Sequence, residues 1–79
     1  MIKKRIKLET IDKVKDFIKE ISKIETDANL NSIGREYIVD AKSILGVLSL
    51  DTSQPLELCI YDDKQNEQKY KTIFDKFGC

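Results

Sequence analysis

Asp40-Ala41-Lys42-Ser43-Ile44-Leu45-Gly46-Val47-Leu48-Ser49-Leu50 joins a short polar lead-in to an apolar run too brief to cross a membrane and too dense for an ordinary loop. Ser43 stands where a helix N-cap belongs, and five of the seven residues after it are Ile, Leu or Val. The spacing predicts a helix of roughly two turns from Ser43 to Leu50. Gly46 inside it costs about 1 kcal/mol against Ala, which points to a close approach by a neighbouring element. Val47 and Leu50 share one stripe with Leu48 near it, leaving Ile44 or Leu45 exposed. Surplus apolar surface on so small a helix marks a contact site, and a hydroxyl at a helix mouth is a place where a phosphate can sit.

On the N-terminal side, Glu36-Tyr37-Ile38-Val39 is rich in β-branched and aromatic residues and reads as a strand. A weaker strand over Thr26–Asn31 rests on Ala28 and Leu30, and Asn31-Ser32-Ile33-Gly34 supplies turn chemistry, so the two form a hairpin. On the C-terminal side, Asp51–Gln54 connects to Pro55, which can open a strand. Leu56, Leu58 and Ile60 then face one way and Glu57, Cys59 and Tyr61 the other, which sends Cys59 to the open face of a sheet.

Farther out, Ile2, Ile6 and Leu8 alternate with Lys3, Arg5 and Lys7 as in a half-buried strand, with Lys4 interrupting the apolar face. From Thr10, a candidate N-cap, Ile11, Val14, Phe17, Ile18, Ile21 and Ile24 recur at helical spacing over about four turns. Asp12 in the first turn complements the helix dipole. Asp62-Asp63 starts a last helix, with Gln65 placed for a capping box on Asp62. Tyr70, Ile73, Phe74 and Phe77 form its apolar stripe, and Gly78 ends it. The order βαββαβα, with a four-stranded antiparallel sheet and helices on one face, predicts an open-faced two-layer α+β sandwich forming a single domain over residues 1–79.

Composition narrows the function. The chain has 79 residues, 41% apolar and 35% charged, enough for one small core. Its 14 basic and 14 acidic residues cancel, so no overall field favours nucleic acid or membrane. The start, Met-Ile-Lys-Lys-Arg, has no apolar segment behind its charges, and the expectation is a cytoplasmic protein. Cys59 and Cys79 are too few for a disulfide framework or zinc site. There is no histidine, which removes the usual general base, the commonest metal ligand and any phosphohistidine. Asp62–Glu67 lacks the glycine and spacing of a calcium loop. These absences predict a non-enzyme with no metal and no cofactor.

Ala41–Leu50 together with the element order resembles the HPr family, the phosphocarrier proteins of the bacterial sugar phosphotransferase system. The segment is similar to that family's regulatory serine segment, with lysine, serine, an apolar pair, glycine, a second apolar pair, serine and leucine in one register. The resemblance implies an HPr-like open-faced sandwich, phosphorylation of Ser43 by an HPr kinase with Lys42 supporting the phosphate, and Ile44, Leu45 and Leu48 as the patch read by a protein partner such as a transcriptional regulator. The departure is at the start of the first helix, where the family carries a phospho-accepting histidine followed by arginine. Thr10 falls at about that position and Asp12 at about that of the arginine. Threonine cannot form a labile phosphoramidate and a carboxylate repels a phosphoryl group, so relay through histidine is excluded. Two extra residues also lie between Gly34 and Ser43 relative to the family pattern.

Three readings follow. The domain is regulated at Ser43. Alternatively, it is an unphosphorylated binding module presenting Ile44, Leu45 and Leu48, with Ser43 only a cap. The third reading is a small-molecule or RNA-binding sandwich, whose open face would carry Lys3, Arg5, Lys7, Glu57, Cys59 and Tyr61, with a single aromatic where RNA-binding sheets use several.

Overall fold

The patterned segments fold, in a computed structural model describing residues 1–79, into β1 (Ile2–Ile6), α1 (Ile11–Ile21), β2 (Ala28–Ser32), β3 (Ile38–Asp40), α2 (Ile44–Leu48), β4 (Leu56–Ile60) and α3 (Lys71–Phe77). A 3-10 segment, Lys64–Tyr70, leads into α3. The strands form one antiparallel sheet in the order β1-β4-β2-β3. The predicted βαββαβα order and α+β class are those observed.

Register decides which residues share a face. Lys4, Leu58, Leu30 and Val39 lie across the sheet from one another, as do Ile2, Ile60 and Ala28. These rows, apart from Lys4, join Val14, Phe17, Ile21, Val47, Ile73 and Phe77 in one core of 18 buried residues. Phe17 sits edge-on against Phe77, with centroids 5.4 Å apart and planes at 86°, a favoured aromatic geometry. Lys4 is tolerated in an apolar row because β1 is an edge strand. Its ammonium lies 5.7 Å from the centre of the Phe74 ring and remains in solvent. The opposite face carries the rows Lys3, Cys59, Asn29, Asp40 and Arg5, Glu57, Asn31, Ile38. Cys59 lies outside the core cluster, as alternation predicts, yet is buried between Lys3 and Asn29 on a central strand.

Several boundaries differ from expectation. Helix α1 is 11 residues long, about three turns rather than four. Ser22 closes it, and Ile24 packs against the core from the following turn. Ile11 is exposed, since the stripe facing the sheet begins at Val14. Strand β3 is three residues long and starts at Ile38. Glu36 and Tyr37 leave the ladder because the Asn31↔Ile38 pairing places residues 33–37 in the hairpin loop. Gly34 turns that loop at φ 81°, a conformation glycine adopts freely. The capping box at Asp62 does not form. The Asp62 carboxylate instead accepts from Asp63 N (2.8 Å), Asn66 Nδ2 (2.8 Å) and the Tyr70 hydroxyl (2.5 Å). Anchoring the buried Tyr70 takes the place of capping, and a 3-10 segment precedes the α-helix.

Candidate functional site

Helix α2 is held on three sides and open on the fourth. Ahead of it, Ala41 is fully buried and donates its N–H to Ala28 O (2.9 Å). The Asp40 side chain accepts from Lys42 N (2.9 Å), and its carbonyl accepts from Ser43 N (3.0 Å). Ser43 then adopts extended geometry, φ −99° and ψ 112°, and its Oγ accepts from Gly46 N at 3.2 Å. This is the N-cap that the sequence predicts. Gly46 lies against β3, where a Cβ in its place would stand 3.2 Å from Val39 Cβ. At the far end, Ser49 Oγ donates to Gly46 O (2.5 Å) and meets the Tyr37 hydroxyl at 3.3 Å.

Only Val47 and, just past the helix, Leu50 are anchored in the core. Leu45 is 79% exposed, Leu48 43% and Ile44 38%. Leu48 is therefore not beside the buried stripe, as the spacing first suggests, but on the outer surface with Ile44 and Leu45. A helix of five residues has room for a single inward contact. The Lys42 ammonium donates to Ile24 O at 2.8 Å, just past the end of α1, so its charge is engaged at that carbonyl. Thr10 caps α1, its Oγ1 accepting from Lys13 N at 3.2 Å, and is exposed.

Among solved structures, the chain is similar to HPr-C-His from Thermoanaerobacter tengcongensis, with a TM-score of 0.74 and 24% identity over 95% of this chain and 89% of that one. It is also similar to the phosphocarrier protein HPr from Bacillus anthracis str. Ames, with a TM-score of 0.72 and 18% identity over 96% of this chain and 95% of that one. The chain has the HPr fold. No family model matches it, and no curated protein does. At these identities, what it shares with the HPr structures is the fold.

Within that HPr-like frame the chain has no histidine, and Thr10 occupies the entrance of the first helix. No group of three or more Cys, Asp or Glu side chains is arranged to hold a metal ion. No helix is long and apolar enough to cross a membrane. The open sheet face carries Tyr61 as its exposed aromatic, and the Tyr61 hydroxyl accepts from Asn29 Nδ2 at 2.7 Å.

Two arrangements escaped the sequence patterns. In one, the Tyr70 hydroxyl donates to Asp62 and lies 3.2 Å from Thr26 Oγ1. The Tyr70 hydroxyl and then the Asn66 amide hold the Asp62 carboxyl down to about 2 from an ordinary 3.8, burial opposing them. Burial, followed by the Asp62 bond, pushes Tyr70 up. In the other, Arg5 and Arg35 line a common cleft at the rim of the sheet. Neither leaves a periodic signal, because each brings together residues from separate elements.

Proposed function

We propose that this chain is a non-enzymatic protein-docking domain on the HPr scaffold, with α2 as its docking surface and no relay of phosphate through histidine. The observation that carries the reading is the exposure of Ile44, Leu45 and Leu48 on one short helix whose backbone is pinned by Ser43, Gly46 and Ala41. A rigid mount with an apolar outer surface binds a partner with little ordering cost. The missing histidine leaves nothing for a phosphoramidate to form on. With one exposed aromatic, the open sheet offers RNA no set of stacking platforms.

Ser43 gives this surface a means of regulation. Its Oγ already accepts a backbone N–H at the start of α2, and a phosphoryl group on that oxygen would add charge beside the apolar patch. An HPr kinase is the modifying partner that the fold suggests, and the partner reading the patch is a protein such as a transcriptional regulator. Lys42, engaged at Ile24 O, would have to leave that carbonyl to support the phosphate.

Two measurements test the reading. In pull-downs, Leu45→Asp loses the partner while Ser43→Ala keeps it; unchanged capture by Leu45→Asp removes the docking surface. Incubation with HPr kinase and ATP, followed by intact-mass measurement, gives a phosphate-sized gain that Ser43→Ala abolishes. No gain, or one that persists in the variant, removes regulation at Ser43 and leaves the docking reading standing.

A further inference from the structure

Arg5 and Arg35 are the only arginines in the chain, and both line a cleft of about 630 Å³ at the rim of the sheet. Arg5 comes from β1 and Arg35 from the β2–β3 loop. The cleft also draws on the connection between α2 and β4, with Ser32, Tyr37, Ser49 and Gln54 among its polar lining. Leu50, Ile33 and Pro55 supply the apolar part of its wall. Neither Thr10 nor Ser43 belongs to it.

Neither arginine makes an ion pair or a side-chain hydrogen bond. All three ion pairs of the protein are made by lysines, Lys23, Lys71 and Lys76. Hydrogen bonds from basic side chains likewise come from lysines. Arg5 stands opposite Glu57 in the sheet register, but the two side chains form no ion pair. Asp51 is the single carboxylate in the lining, and its Oδ1 accepts from Ser53 N (3.1 Å) and Ser53 Oγ (2.5 Å). The Ser53 bonds leave Asp51 its charge, and Arg35 acts on that charge across the cleft, so two guanidiniums and one carboxylate leave a single positive charge in excess. Arginine presents a planar fork of donors that matches phosphate oxygens, a geometry a lysine ammonium lacks. The volume is in the range of small-molecule sites, and the hydroxyl and amide groups can meet hydroxyls on a ligand.

We propose that this cleft binds a small hydroxylated phosphomonoester, with the phosphoryl group on Arg5 and Arg35 and the hydroxyls on Ser32, Ser49 and Gln54. The site is separate from the outer surface of α2, so Leu45→Asp leaves it intact and the two readings fail independently.

The test is a titration of the isotope-labelled chain with ribose 5-phosphate, inorganic phosphate and ribose, followed by amide NMR. Ribose 5-phosphate produces saturable shifts at Ser32, Ile33, Arg35 and Gln54, inorganic phosphate binds more weakly, and ribose produces none. Arg35→Gln and Arg5→Gln each weaken binding about tenfold or more, as expected for loss of a charge-assisted fork. Lys64→Gln, at an exposed lysine outside the cleft, leaves it unchanged. Both arginines are exposed, and the dispersion of the same spectra reports whether each variant is folded. Absence of saturation overturns the proposal. So does binding that survives both arginine substitutions, or an affinity for inorganic phosphate equal to that for the ester.

Discussion

Ser43 and Thr10 act alike at two helix mouths, each accepting a backbone N–H from three residues on. Ser43→Ala is expected to lower stability by about 1 kcal/mol, while Ser43→Asp, itself a good cap, stays near the parent. Chemical denaturation of the three proteins checks this, and a large loss in Ser43→Asp would show that the hydroxyl is needed for more than capping. A second prediction concerns Asp62. Its carboxyl is held at about 2 in the folded chain against an ordinary 3.8. A depressed carboxylate stabilises the fold above its unfolded pKa, and the contribution disappears as pH falls through the folded value. Thermal midpoints should therefore drop as pH falls from about 4 toward about 2, and less steeply in Tyr70→Phe, which lacks the first of the bonds to Asp62. Equal slopes in the two proteins would place the acid sensitivity elsewhere.

Helix α2 shows what a short element can and cannot advertise. Its cap, its glycine and its apolar density are local and can be read from the sequence. The exposure of Leu48 is implied by the family resemblance but not by the spacing, because a stripe estimated over two turns assumes more helix than the five residues that form. Gly46 is explained by β3: a Cβ there would stand 3.2 Å from Val39 Cβ. A β-branched side chain should force the two elements apart, and Gly46→Val is expected to destabilise the protein by about 1–3 kcal/mol. Urea unfolding reads this directly, and a neutral result would mean that α2 can shift outward freely. The 3-10 segment before α3 is likewise beyond local patterns, since Asp62 is drawn to Tyr70 by tertiary contact rather than used as a cap.

The whole molecule rests on one core of 18 residues, with Phe17 fully buried and set against Phe77. Phe17→Ala should cost about 3–5 kcal/mol, a large share of the roughly 5–15 kcal/mol typical of such domains. The variant is expected to be partly unfolded at growth temperature, by far-UV circular dichroism; an unchanged melting profile would mean that the core refills the space. Element order, the inward and outward faces of β1 and β4, the caps at Thr10 and Ser43 and the lack of histidine were determined by the sequence alone. All of these follow from local periodicity, from hydrogen bonds a few residues long, or from composition. Only the tertiary structure decided the strand order β1-β4-β2-β3, the truncation of β3 and the placing of Arg5 and Arg35 in the lining of one cleft. Those features depend on register and on contacts between distant segments, which are selected by burying the apolar rows against three helices at once. No stretch of the chain carries that information by itself.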